Sequence, residues 1–182
     1  MSRKYKFSDS EGLYFISFAV INWIDVFIWN EYKDIVLKSW KYCIENKGLQ
    51  IYGWCIMSSH IHMIIGSQKD KPENIVRDMK SFTSTQIRKA ITNNPQESRK
   101  EWMLEMMYKA GDKNGNNDGF QFWQQNNQPI LLDNNFIMDQ KLEYIHLNPV
   151  VTGIVERPED YLYSSARDFA GRKGLIDICY FG

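Results

Sequence analysis

Two apolar runs separated by only two residues constrain the fold of this 182-residue chain most strongly. The runs extend from Leu49 to Met57 and from His60 to Gly66, and Ser58-Ser59 joins them. Both contain large apolar residues and no Lys, Arg, Asp or Glu, as expected for buried strands. Because so short a connection joins only antiparallel neighbours, the sequence predicts a β-hairpin whose second arm begins at His60.

Other strand and helix patterns surround this hairpin. In chain order they predict a strand over 13–20, a helix over 32–46 stopped by Gly48, the hairpin, helices over 72–93 and 98–109, a polar loop over 111–119, a final strand over 120–124 and 128–132, and a helix from about Asn135 into the Tyr144 segment. Pro149 is expected to end or kink that helix, since proline lacks an amide donor and disfavours helical geometry at the residue before it. The order predicts an α+β fold, a ferredoxin-like antiparallel sheet with helices packed on it and one appended helix.

Length and composition indicate one globular domain over residues 1–182, with a flexible N-terminus at about 1–11 and a C-terminal extension at about 156–182. The three cysteines are odd in number and lack CxxC spacing, which argues against a disulfide framework or a zinc knuckle. The first twelve residues are polar and contain no secretory signal, and the most apolar window, 15–29, is too short to span a bilayer. We therefore expect a cytoplasmic, bacterial protein without membrane association.

Charge restricts how such a chain could bind nucleic acid. Its 22 basic and 22 acidic residues cancel, unlike proteins that hold duplex DNA mainly by neutralising phosphates. Any nucleic-acid site must then be local. Aromatic residues make up 14% of the chain and could stack on unpaired bases, although core packing is the commoner use of such rings.

All three histidines lie in two short motifs, His60-Ile61-His62 and the segment Tyr144–Asn148. Alternate residues of a strand point to one face, so His60 and His62 project side by side while Ile61 turns into the core. Two adjacent imidazoles are suited to bind one divalent cation. The alternative is that they merely form a polar edge of the sheet.

The segment Tyr144-Ile145-His146-Leu147-Asn148 falls on the last predicted helix. Tyr144 and Asn148 are four residues apart and share a helix face, so the amide oxygen of Asn148 could complete a metal site. His146 lies roughly 200° around the helix from Tyr144 and is expected to face away and to hydrogen-bond or pack. The alternative is a packed tyrosine and an asparagine that ends the helix.

These motifs occur together with others in a specific order. The stretches are GWCIMSSHIHMIIG at 53–66, DMKSFTSTQIRKAI at 78–91, FW at 122–123, YIHLNPVVTGIV at 144–155 and YLYSSARDF at 161–169. In this order they resemble the single-tyrosine HUH transposases, and specifically the REP-associated tyrosine transposase branch. Many relatives carry Pro-Asn where this chain has Ser58-Ser59, a difference that alters the turn and not the ligands.

The resemblance implies a role for each residue of the two motifs. Tyr144 would be the nucleophile that forms a covalent 5′-phosphotyrosine with hairpin-forming single-stranded DNA. His60, His62 and Asn148 would hold Mg²⁺ or Mn²⁺, although imidazoles alone are also compatible with Zn²⁺ or Ni²⁺. A cation on a non-bridging phosphate oxygen would neutralise charge and orient the phosphate for in-line attack, and no ATP would be needed.

Candidate DNA contacts lie on the 72–93 helix and in the FW motif. They are Lys80, Ser81, Thr83, Arg88, Lys89 and Trp123. The alternatives are a solvated basic helix face and a tryptophan of the core. The expected partner is single-stranded hairpin DNA, bound by a monomer or a homodimer.

Two rival functions remain open at this point. One is a non-catalytic or domesticated hairpin-DNA-binding protein on the same fold. The other is a metal-dependent phosphoesterase that activates water and in which Tyr144 is structural. Only the nicking and rejoining activity predicts a covalent adduct that depends on Tyr144.

Overall fold

A computed structural model of the chain describes residues 7–114, 119–125 and 128–181. The strands are β1 (Tyr14–Ala19), β2 (Leu49–Ile56), β3 (His60–Ser67) and β4 (Ile130–Leu131). The α-helices are α1 (Asn30–Lys47), α2 (Pro72–Asn93), α3 (Lys100–Asp112), α4 (Asn135–Val151) and the single turn α5 (Ala166–Phe169). No helix in this part of the chain is long and apolar enough to cross a bilayer.

The four strands form one sheet in the order β2-β3-β1-β4, and every neighbouring pair is antiparallel. This order places the two strands of the first βαβ unit on either side of β3, as in a ferredoxin-like sheet. The prediction of an α+β fold with an antiparallel sheet is confirmed.

The β2–β3 hairpin positions the two histidines. The Met57 amide donates to the His60 carbonyl at 2.8 Å and closes the hairpin, so that β3 begins at His60 as predicted. His60 and His62 also lie opposite Ala19 and Ser17 of β1. Both imidazoles are therefore carried by a central strand that is paired on both edges.

The two faces of β3 have different surroundings. Ile61, Met63 and Ile65 point into the main core, which α1, α2 and α3 cover. His60 and His62 alternate with them and point to the opposite face, where α4 packs and Ile145 belongs to a smaller apolar cluster. The sheet thus separates the large core from the surface that carries the candidate chemistry.

Helix α4 begins at Asn135, as predicted, and extends beyond Pro149. The Asn134 side chain caps its start by accepting from the Ile137 amide at 2.9 Å. The helix continues through Pro149 to Val151, so of the two effects expected of this proline, an end or a kink, the end is not found. Pro149 lies in the last turn, where only one intrahelical bond is lost, and its own carbonyl accepts from the Ile154 amide at 2.9 Å.

Other boundaries also differ from the sequence pattern. Residues 120–124 form no regular strand: only Trp123 bridges to Val20, and the Gln121 amide donates to the Met107 carbonyl of α3 at 3.0 Å. Helix α3 starts at Lys100 and reaches Asp112. Of the predicted polar loop, residues 115–118 lie outside the described residues, and so do residues 1–6 of the N-terminus expected to be flexible.

The C-terminal segment packs back onto β2. Tyr163, Ser164 and Ser165 are buried, and the Ile56 amide donates to the Tyr163 carbonyl at 3.0 Å. The Trp54 amide donates to Ser165 Oγ at 2.9 Å. The expected C-terminal extension is therefore packed against the sheet.

Candidate active site between β3 and α4

Four of the residues predicted for catalysis and metal binding converge where α4 crosses β3. The ring centroids of His60 and His62 lie 4.7 Å apart, and those of His62 and Tyr144 lie 5.1 Å apart. The Asn148 side-chain nitrogen lies 3.3 Å from His62 Nε2. A hairpin strand and a helix 80 residues further along the chain thus bring two imidazoles, a phenol and an amide to one point.

Burial keeps both imidazoles in their neutral form. His62 is 4% exposed, and its pKa is lowered to about 3 by burial and by the charges of His60 and Lys141. Burial also lowers the pKa of His60. Neutral imidazole is the form that binds metal ions, so no proton would have to be displaced from either ring at neutral pH.

Local geometry fits a divalent cation. His62 Nε2 is the ring nitrogen that faces Asn148, whereas Nδ1 is buried without a hydrogen-bond partner among the described residues. Rotating the Asn148 amide by 180° would bring its oxygen to the position 3.3 Å from His62 Nε2, near the roughly 3 Å between adjacent ligand atoms of an octahedral cation with bonds of about 2.1 Å. Among the described residues no group of three or more His, Cys, Asp or Glu side chains could hold a metal. The candidate ligand set is instead two imidazoles and one amide.

Tyr144 is accessible to a large substrate. Its side chain is 49% exposed, and its ring meets Phe15 edge-on at 6.1 Å between centroids. Lys141, one turn earlier on α4, places its ammonium group 4.9 Å from the centre of the Phe15 ring and 6.0 Å from that of Tyr144. Sequence reasoning missed Lys141, although residues 141, 144 and 148 share a helix face by their spacing of three and four.

The third histidine lies apart from this group, as predicted. His146 Nε2 lies 2.9 Å from Ser165 Oγ, and its ring packs against Phe169 at 5.0 Å. Ser165 also accepts from the Trp54 amide of β2. His146 therefore ties α4 to the C-terminal segment and, through it, to the sheet.

Residues predicted to contact DNA divide into two groups. Lys80, Ser81 and Arg88 line a cleft of about 570 Å³ between α2 and residues 120–125, together with Arg77, Ser84 and Thr85. Lys80 donates to the Gln124 carbonyl at 3.0 Å, and burial lowers its pKa to about 8. Lys89 is exposed outside this cleft lining.

Thr83 and Trp123 are both buried. They are 2% and 5% exposed, and Trp123 Nε1 donates to Thr83 Oγ1 at 3.0 Å. The Trp123 ring also packs against Phe27 and Phe122. Trp123 also belongs to the lining of the cleft, so contact of these two side chains with DNA remains a prediction.

Comparisons with known proteins bear on the whole arrangement. The family described as IS200-like transposases matches residues 18–118, more than half of the chain. In structure, the chain is similar to a REP-associated tyrosine transposase bound to a REP hairpin, with 18% identity, a TM-score of 0.64, and coverage of all of this chain and 96% of that one. It is less similar to a protein described as a transposase from Deinococcus radiodurans R1, with 15% identity, a TM-score of 0.45, and coverage of 79% and 95%. No curated protein matches in sequence.

Proposed function

The chain belongs to the IS200-like transposase family, and on that premise we propose that it nicks and rejoins single-stranded DNA through a covalent bond to Tyr144. The observation that carries the proposal is the convergence of Tyr144 with His60, His62 and Asn148, at 5.1 Å between the His62 and Tyr144 rings and 3.3 Å between His62 and the amide. A phenol this exposed beside neutral imidazoles suits attack on a phosphodiester. A tyrosine needed only for packing would be buried.

In the proposed reaction Tyr144 Oη bonds to the scissile phosphorus while the bond from that phosphorus to the 3′ oxygen breaks. The phenolic proton passes to solvent, and the departing oxygen takes up a proton to become a free 3′-hydroxyl. The product is a 5′-phosphotyrosine. A 3′-hydroxyl then attacks the phosphotyrosine, restores a phosphodiester and releases Tyr144. Each step breaks one phosphate ester bond and forms another, so no ATP is required.

Metal binding is proposed for His60, His62 and Asn148, with Mg²⁺ or Mn²⁺ as the ion. When bound, the ion would neutralise charge on a non-bridging phosphate oxygen. The two imidazoles are held by the paired strand β3, and Asn148 lies one turn beyond Tyr144 on α4. Ligands and nucleophile would thus be fixed by two packed elements rather than by a loop.

Lys141 and Phe15 would shape the surroundings of the nucleophile. The Lys141 ammonium stands over the Phe15 ring on the Tyr144 side, where it could contact a phosphate oxygen. The Phe15 ring stacks on the His62 imidazole, with 5.7 Å between the ring centroids. This contact holds the imidazole that faces the Asn148 amide.

Hairpin DNA is the proposed substrate, because a transposase of similar fold, at a TM-score of 0.64, is bound to a REP hairpin. The cleft between α2 and residues 120–125 would hold the DNA backbone. Its cations are Arg77, Lys80 and Arg88, and its hydroxyls are Ser81, Ser84 and Thr85. A local cluster of this kind is compatible with a net charge of zero.

The test is an adduct assay with labelled hairpin oligonucleotides drawn from the DNA that flanks the gene. With Mn²⁺ the protein should form a denaturant-resistant protein–DNA species, and Tyr144→Phe or EDTA should remove it. Hairpin binding without any adduct would favour the non-catalytic DNA-binding protein. Cleavage that persists in Tyr144→Phe would favour the phosphoesterase that activates water. Tyr42→Phe is the matched control, since Tyr42 is 58% exposed and lies on α1.

A further inference from the structure

Trp23 stands beside the proposed ligands in an unusual backbone conformation. It follows β1 in a turn that the Ile24 amide closes by donating to the Ile21 carbonyl at 3.2 Å. Both central residues, Asn22 and Trp23, have positive φ, at 53° and 56°. A turn of this kind favours Asn followed by Gly, because a side chain at the second position is strained. Here that position carries the largest side chain available.

Packing does not account for a tryptophan at this position. Trp23 is 59% exposed, so most of its ring surface gains nothing from burial. Within the described part of the chain its ring meets that of His60, edge-on at 5.4 Å between centroids. Here a strained backbone holds an exposed aromatic ring against a proposed metal ligand. This suggests that the ring binds a ligand rather than stabilising the fold.

The space next to the ring has the size and chemistry of a base-binding pocket. Its volume is about 240 Å³, below the roughly 300–1,000 Å³ of pockets for whole small molecules, so it suits one flat ring system. Trp23 and Phe15 supply aromatic surface, and Gln124, Gln125 and Gln128 supply amides at its edge, of which the Gln124 amide nitrogen donates to the Val20 carbonyl at 3.2 Å. Amide groups both donate and accept hydrogen bonds and so match the edges of nucleobases.

This pocket connects the basic cleft to the catalytic group. Gln124 and Gln125 line both the pocket and the cleft of Arg77, Lys80 and Arg88. At its other side the pocket includes Phe15, which contacts both His62 and Tyr144. A single strand whose backbone lay in the cleft would pass the Trp23 ring on its way to Tyr144.

We propose that Trp23 is a stacking platform for one unpaired nucleobase close to the scissile phosphate, which it holds in register with Tyr144. The proposal rests on the proposed function, because it assumes that single-stranded DNA reaches this site. Trp23 is a positioning residue in this account. Stacking on an aromatic face tolerates any base, so the ring would fix where the strand lies, and the glutamines would read which base is present.

The test uses the Tyr144→Phe protein as a non-cleaving parent and a DNA hairpin with six unpaired thymidines on each side, in the presence of Mn²⁺. Trp23→Gly in this parent should weaken binding on the order of 10-fold. Replacing one thymidine at a time by an abasic residue should weaken binding to the parent by a similar factor at one position. At that position the abasic residue should not weaken DNA binding by the Trp23→Gly protein any further. The reason is that the abasic residue and the Trp23→Gly substitution remove the same stacking contact.

Two controls separate stacking from a structural role. Trp102→Ala removes a tryptophan that is 50% exposed on α3 and should leave binding unchanged. Trp23→Gly also relieves the positive φ, so its melting temperature should equal or exceed that of the parent. A lower melting temperature, or abasic penalties that are equal in both proteins at every position, would overturn the proposal.

The adduct assay run in parallel on the chain with Tyr144 distinguishes the two claims. An adduct without coupling between Trp23 and any base removes the stacking platform and leaves the proposed function standing. Coupling without an adduct leaves the platform standing on a DNA-binding protein. Absence of any hairpin binding overturns both.

Discussion

At the scale of single residues, the environment of His62 is what favours chemistry over packing. The ring is buried, Nδ1 has no hydrogen-bond partner in the described part of the chain, and Nε2 faces the Asn148 amide. A buried polar atom without a partner costs about 1–3 kcal/mol, so a ring kept only for stability would be replaced at a gain by an apolar side chain. A cation bound at Nε2, beside the Asn148 amide, would give the imidazole a role that an apolar side chain cannot fill.

Replacing His60 or His62 by alanine should therefore abolish cleavage while the fold is retained. Loss of one ligand should lower the rate of adduct formation by at least about 100-fold, since charge stabilisation at the phosphate is lost. Asn148→Ala should be milder, at roughly 10-fold, because water can replace one neutral oxygen ligand. Adduct yield and thermal unfolding are measured on the same preparations. Extensive unfolding of His60→Ala, whose ring is only half-buried, would assign the pair to the structure of the sheet instead.

At the scale of secondary structure elements, the orientation of α4 determines whether the nucleophile meets its ligands. His146 anchors one side of this helix to Ser165, and Tyr144 and Asn148 then face β3 on the other. His146→Ala should lower stability by about 1 kcal/mol, the usual net value of a hydrogen bond, and slow adduct formation by a few-fold. It should leave hairpin affinity unchanged.

A double-mutant cycle tests whether this anchor acts through the proposed contact. Ser165→Ala should cost more stability than His146→Ala, since Ser165 also accepts from the Trp54 amide. The double variant should be less destabilised than the sum of the two single variants. Strict additivity in both stability and adduct rate would contradict the anchoring role.

Local patterns in the sequence were sufficient to predict the elements that carry the site. The hairpin, the His60–His62 pair and the shared face of Tyr144 and Asn148 follow from strand and helix periodicity alone. The surroundings of Thr83 and Trp123 could not be predicted in this way. The same sequence pattern is expected whether a basic helix face and an aromatic residue contact DNA or a neighbouring segment of the chain. Trp23 was missed because positive φ in an Asn-Trp turn has no signal in the residue pattern.

At the scale of the whole molecule, the proposed cleavage and the proposed DNA binding take place on two connected surfaces. Chemistry would occur on the α4 side of the sheet, and the DNA backbone would lie against α2, in a cleft that shares Gln124 with the Trp23 pocket. Because the chain has no net charge, affinity for DNA depends on a few local cations rather than on the overall field. The affinity for DNA should therefore change when one of these side chains gains or loses its charge.

The lowered pKa of Lys80 sets the pH range in which DNA affinity should change. Its pKa is lowered to about 8 by burial, so the ammonium group is charged below that pH and loses its proton as the pH rises through it. Hairpin affinity should fall between pH 7 and pH 9, by an amount on the order of one lost phosphate contact. Lys80→Arg stays charged over this range and should show no such fall. An identical pH profile for both proteins, measured by anisotropy at constant salt, would remove Lys80 from the interface.

The central claim is that the phenol of Tyr144 becomes bonded to the 5′ phosphate of cleaved DNA. The most direct measurement is tandem mass spectrometry of the proteolysed adduct, formed with Mn²⁺ and digested by nuclease to a short nucleotide remnant. The account predicts a 5′-linked nucleotide on the peptide that contains Tyr144 and a free 3′-hydroxyl on the released strand. A remnant on a different residue, or cleavage that leaves a free 5′ phosphate and no modified peptide, would contradict it.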